Sequence, residues 1–159
     1  MKKKTDDRNY KKRFEKGFKM LCSSKSTYQV WSDCMALFAI TLANQSILSL
    51  VKDKQFKEIW DKREKEYLRI INSYSKKEQK LFPQMFALIV EELEERPNQD
   101  LLGELYMMLQ IPNKNAGQFF TPYNVCEAMS KLTFDRKELG KTVHKKGYAN
   151  VYDCASGAG

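Results

Sequence analysis

The sequence predicts a mainly α fold, a helical amino-terminal domain that runs at its carboxyl end into one strand and a glycine-rich turn. Three observations carry that prediction. Only four prolines and seven glycines interrupt 159 residues, so long stretches are free to be helical. From Tyr28 to Leu109 apolar residues return at helical spacing. The last nine residues, Val151 to Gly159, read as a short strand entering the turn Asp153-Cys154-Ala155-Ser156-Gly157-Ala158-Gly159. Small residues at alternate positions let backbone pass close to a ligand and bend into a helix whose free N–H groups face it. Such a turn normally opens a nucleotide- or cofactor-binding α/β domain. Here it closes the sequence, which therefore reads as the front of something larger.

The elements follow in order. Residues 1–20 hold nine Lys/Arg against three Asp/Glu, a net of +6, and read as a basic amino-terminal arm. Between Tyr28 and Val51, Val30, Trp31, Cys34, Leu37, Phe38, Leu42, Ile47 and Leu48 predict a largely buried helix. Residues 55–74 place Phe56, Ile59, Trp60, Tyr67, Ile70, Ile71 and Tyr74 on one side of an amphipathic helix. Ser75-Lys76-Lys77-Glu78 has the form of a capping box opening the next helix. Pro83 belongs in a first turn or at a kink, and Pro97 ends the segment that continues through Glu95. Asn98 or Asp100 caps a short helix bearing Leu101, Leu102, Leu105, Tyr106 and Leu109. Pro112 and Asn113 to Gly117 form a loop, and Thr121-Pro122 starts a helix over Tyr123 to Leu132 with proline at its first position. A polar connection leads to Ala149–Asp153, the one convincing strand. These elements divide the sequence into the arm (1–20), a helical domain (21–111) and the beginning of a cofactor-binding domain (112–159).

A hydrophobic content of 42%, with aromatic residues making up 12% of the chain, suits a folded protein of one ordinary domain. The formal charge of +8 is uneven: residues 91–104 hold five Glu, one Asp and one Arg, a net of −5. A basic arm beside a neutral body suggests contact with a polyanion, most simply nucleic acid, through Lys2, Lys3, Lys4, Lys11, Lys12 and Arg13. A solvated, frayed terminus is the plainer alternative. Cys22, Cys34, Cys126 and Cys154 are scattered without a C-x-x-C pair, and His144 is the only histidine, so no metal site is expected. With no signal peptide in view, the cysteines read as reduced and buried in a cytoplasmic protein. The apolar run Cys34 to Ala43 is too short to span a bilayer, and no membrane partner is expected.

Two motifs carry chemistry. Gly117-Gln118-Phe119-Phe120-Thr121-Pro122 alone could be an ordinary loop, and the terminal glycine turn alone is a weak pattern. Together, in this order and some thirty residues apart, they resemble the opening of an N6-adenine DNA methyltransferase of the type I restriction-modification kind. Asp100-Leu101-Leu102-Gly103-Glu104-Leu105-Tyr106-Met107 is similar to the stretch that precedes the first motif in that family. The resemblance covers residues 98–159 well and residues 1–97 only as a variable helical region.

The resemblance implies S-adenosylmethionine as cofactor, a truncated Rossmann-like methyltransferase domain, double-stranded DNA as substrate, and a specificity subunit or further copies of the chain as partners. It also implies cofactor contacts at Phe119, Phe120, Thr121, Pro122, Asp153, Ala155, Gly157 and Gly159. Elementary chemistry agrees with those roles. Asp153 can accept from the cofactor's ammonium group. Ala155, Gly157 and Gly159 leave room for close approach. Thr121 can offer its hydroxyl and N–H to the carboxylate at a helix start. Phe119 and Phe120 can wall the pocket and pack against the sulfonium. The family commonly shows D-P-A-C-G-S-G at the second motif, where this sequence has Cys154 and Ser156, and no needed glycine is lost.

The family's catalytic Asn/Asp-Pro-Pro-aromatic motif is missing, since no Pro-Pro occurs. The acidic residue that would hold the ribose is missing too, so these 159 residues alone have no pocket for a flipped adenine and are expected to be inactive. No catalytic residue is assigned. His144 sits in the basic loop Lys141 to Lys146 and reads as a surface residue. Glu91, Glu92, Glu94 and Glu95 splay around a helix axis and read as a solvated face. Two rivals remain: a non-catalytic helical module that binds DNA or protein, and an S-adenosylmethionine enzyme acting on RNA or protein, against which the Gly117–Pro122 loop argues.

Overall fold

The structure, a computed structural model, describes residues 7–111 and 121–152. It is mainly helical. The described residues form α1 (Asp7–Leu21), α2 (Thr27–Ile47) with a 3-10 turn at Leu48–Leu50, α3 (Lys54–Ile71), α4 (Lys76–Gln79), α5 (Leu81–Glu95), α6 (Leu101–Met108), α7 (Tyr123–Thr133) and α8 (Arg136–Lys146).

The basic segment at the start is, from Asp7 onward, a core helix. Tyr10, Phe14, Phe18 and Leu21 recur at steps of four, four and three, so they share one face of α1, and all four are buried. Against that face runs α5. Gly17 lies against Met85, Ser23 Oγ lies 3.5 Å from Glu78, and the Arg96 guanidinium stands 6.0 Å from the Tyr10 ring, so the two helices are antiparallel. A Cβ at Gly17 would meet the Met85 side chain at 3.2 Å, so the two helices pack tightly there.

α2 opens with Ser26, whose hydroxyl accepts from Gln29 N at 3.2 Å. It pairs antiparallel with α3, tied by Tyr74–Asp33 near one end and Arg63–Ala43 near the other. The half of this hairpin nearest the core buries Val30, Cys34, Leu37 and Phe38 on α2 and Ile70 and Ile71 on α3. The far half leaves Leu42, Leu48, Leu50 and Ile59 exposed. Thr27–Leu50 makes a helical segment of 24 residues whose most apolar 18-residue stretch has a mean hydropathy of 1.3, longer than the apolar run Cys34 to Ala43 suggests and long enough by length and composition to cross a bilayer. Within it Asp33 is buried and bonded to Tyr74 of the loop after α3, as in the core helix of a folded bundle.

Aromatic contacts join the layers: Phe18 to Trp31 at 6.3 Å, Trp31 to Tyr106 at 5.7 Å, and Tyr74 to Phe82 at 4.8 Å. Each fully buried Phe or Leu of this core contributes about 1.5–3 kcal/mol of transfer free energy. The capping box is formed as the sequence suggests: Ser75 Oγ accepts from Glu78 N and Glu78 accepts from Ser75 N at 2.8 Å. Pro83 falls in the first turn of α5.

Three expectations are corrected. Ala149–Tyr152 forms no strand, and among the described residues there is no second strand to pair with it; a strand without a ladder partner has no hydrogen bonds to hold it. Val151 and Tyr152 are exposed. The polar connection before it is the helix α8, started by Asp135, whose side chain accepts from Lys137 N at 2.7 Å, and stopped by Gly147 at φ 80°. His144 thus lies in the last turn of a helix. The cysteines are also not uniformly buried: Cys34 is buried, Cys22 half-buried and Cys126 exposed.

Candidate functional site

Of the eight sequence-predicted cofactor residues, two, Thr121 and Pro122, are among the described residues, and both lie beside α6. Asp100 caps α6 by accepting from Gly103 N at 2.8 Å, and its carboxylate packs over Gly103 so closely that a Cβ there would fall 2.1 Å from Asp100 Oδ2. That contact explains why glycine stands inside this short helix, a role the sequence pattern alone did not disclose. The bare Gly103 backbone, with Asp100, Glu104 and Met107, forms one wall of an open cleft of about 580 Å³. Thr121, Pro122, Tyr123 and Asn124 form the other.

Thr121 and Pro122 therefore stand at the mouth of this cleft. Pro122 occupies the capping position of α7, one residue before the first-position placement the sequence suggests, and its carbonyl accepts from Val125 N at 2.9 Å and Cys126 N at 3.2 Å. No side chain caps α7. Among the described residues the N–H groups of Tyr123 and Asn124 find no acceptor, the setting in which a carboxylate or phosphate is stabilised. Phe119, Phe120, Asp153, Ala155, Gly157 and Gly159 lie outside the described residues.

The sequence-predicted nucleic-acid residues separate on the structure. Lys11 Nζ lies 2.7 Å from Glu104 Oε2 and is engaged in an ion pair between α1 and α6. That hydrogen bond raises the Lys11 ammonium above its ordinary value, against the opposing effect of partial burial. Lys12 and Arg13 point outward and are exposed. Lys2, Lys3 and Lys4 lie outside the described residues. The acidic stretch at 91–104 is equally divided. Glu92 is buried and accepts from Arg96 Nε at 2.6 Å within the stretch itself, and Glu104 meets Lys11, the ion pair through which the acidic stretch touches the basic one.

Among the described residues no three His, Cys, Asp or Glu side chains come together as a metal-ligating group. No protein-family model, curated protein or solved structure matches the chain.

Proposed function

We propose that this chain is the helical front and the opening of the cofactor domain of an S-adenosylmethionine-dependent DNA methyltransferase acting on adenine N6. The observation that carries the reading is the ordered pair of motifs, Gly117–Pro122 followed by Asp153–Gly159. The cleft supports it: Thr121 and Pro122 stand at an uncapped helix start, beside the carboxylates of Asp100 and Glu104. An uncapped start suits the cofactor's carboxylate.

The cofactor supplies an activated methyl group. The residues of this chain would bind and orient it: Thr121 at the carboxylate, Asp153 at the ammonium, Phe119 and Phe120 as walls that exclude water, and Ala155, Gly157 and Gly159 as the floor. In the complete sheet, Ala149 to Tyr152 would find ladder partners as the first strand of a Rossmann-like domain. The adenine pocket and the catalytic motif belong to sequence other than these 159 residues. Duplex DNA is the substrate; a specificity subunit or further copies of the chain are the expected partners, in a cytoplasmic setting without a membrane.

Nucleoside mass spectrometry tests this reading. The complete gene product, methyl-labelled S-adenosylmethionine and unmethylated duplex DNA should yield labelled N6-methyladenine, and Asp153→Ala should remove it. A folded gene product that binds neither cofactor nor yields N6-methyladenine contradicts it.

A second reading has an observation of its own. Residues 7–111 bury a complete core, whereas α7 and α8 contribute no buried residue. A self-sufficient helical module that binds DNA or protein without catalysis fits that division, and cofactor binding by the complete product would separate the two.

A further inference from the structure

We propose that the solvent face of α1 is a docking strip for the phosphate backbone of double-stranded DNA, contacted by Lys12, Arg13, Lys16 and Lys19. The choice of DNA over other duplexes rests on the methyltransferase reading; phosphate contact by this face does not.

The fold itself creates the strip. The apolar side of α1 is consumed by the core, with Phe14 and Phe18 essentially inaccessible, so the helix cannot turn over and its cations are fixed outward. Lys12, Arg13, Lys16 and Lys19 are all exposed, and the one carboxylate among them is Glu15, which pairs with Lys19 at 2.6 Å. Among the described residues Lys12, Arg13 and Lys16 have no ion-pair partner, in contrast to Lys11, which Glu104 holds. Lys12, Lys16 and Lys19 line one shallow groove along the helix. The strip thus retains Lys12 and Arg13 of the sequence-predicted set, adds Lys16 and Lys19, and excludes Lys11.

The chemistry of the face selects the partner. A helix that docks on an anionic membrane inserts an apolar side beneath its cations, but here that side is buried and only Met20 is exposed beside the lysines. Single-stranded nucleic acid needs aromatic platforms for its bases, and no aromatic residue lies on this face, Tyr10, Phe14 and Phe18 all being buried. What remains is point charge on a rigid rod, the means by which proteins hold duplex phosphates without reading sequence.

The test is fluorescence anisotropy with a labelled 20-base-pair duplex and the 159-residue chain, repeated over a range of salt concentrations. Each phosphate contact contributes about 0.9 to the slope of log affinity against log salt. Lys12→Ala, Arg13→Ala and Lys16→Ala should each lower that slope by about one unit and weaken binding alike for unrelated sequences. Lys11→Ala should leave the slope where it is, and Lys12→Arg with Lys16→Arg should preserve it. Because the arginine variants keep both the charge and the helix, they separate lost contact from lost folding. A slope unchanged by the three alanine substitutions, a slope lowered equally by Lys11→Ala, or lysine-dependent binding to phosphatidylserine vesicles without binding to the duplex would each overturn the proposal. Slope changes without methyl transfer by the complete product would leave the strip standing and remove the methyltransferase reading; methyl transfer with unchanged slopes would do the reverse.

Discussion

The Tyr74 hydroxyl donates to Asp33 Oδ2 at 2.7 Å, joining the loop after α3 to the first half of α2 across 41 positions of sequence. Asp33 is buried, and Gln29 Nε2 donates to its other oxygen at 2.8 Å. Lys25 Nζ lies 3.4 Å from the carboxylate and 3.8 Å from the centre of the Tyr74 ring. The buried acid is thereby compensated on three sides, and it sets where the α2–α3 hairpin closes. Tyr74→Phe removes one donor from a buried charge and should cost about 1.5–3 kcal/mol in urea unfolding. An unchanged unfolding midpoint would show that the contact is incidental.

The same region fixes the alkaline limit. Burial pushes the Cys34 thiol and, together with Asp33, the Tyr74 hydroxyl above their ordinary values. For both groups the folded state holds the proton more tightly than the unfolded one. The stability they contribute is therefore fully present below their unfolded values, about 8.5 for the thiol and about 10 for the phenol, and is lost as pH rises beyond them. Thermal melting should hold steady through neutral pH and fall above about pH 8.5, with a steeper fall beyond about pH 10. Tyr74→Phe should flatten the second fall and spare the first.

Gly103 is a second point where one residue type is required. Adding a Cβ collides with the Asp100 carboxylate, so Gly103→Ala must displace the cap of α6, at a cost of about 1 kcal/mol or more. In Asp100→Ala/Gly103→Ala the clash partner is gone, and the double variant should lose less than the sum of the singles. Additive losses in a thermal-melt cycle would disprove the link.

α1 supplies a sharper prediction. Phe14 is completely buried, and Phe14→Ala should cost about 3–5 kcal/mol. A chain that melts unchanged after this substitution would return residues 7–21 to the status of a loose arm.

How much of this was legible varies by element for physical reasons. The helices at 27–47, 54–71 and 81–95, and the caps at Ser75 and Asp100, follow from periodicity and side-chain chemistry that act locally. α1 was obscured because four apolar residues at helical spacing were outnumbered by cations, although Tyr10, Phe14, Phe18 and Leu21 carried the signal. α8 announced itself through Asp135 and Gly147, which sit at its two ends, but its polar composition read as a connection. The strand failed for the opposite reason: Val151 and Tyr152 have the right composition, and composition says nothing about a partner. At the candidate site, Thr121 and Pro122 are brought to the α6 cleft by tertiary contact, and the Gly103–Asp100 packing that shapes its wall is a matter of ångströms that no residue pattern encodes.

The most direct measurement is the nucleotide sequence that follows the Gly159 codon. For a methyltransferase the expected result is an open frame that continues through alternating strand and helix patterns and contains an Asn/Asp-Pro-Pro-aromatic motif. A stop codon at that point, or a continuation lacking the motif, would contradict the methyltransferase reading and leave the helical binding module in its place.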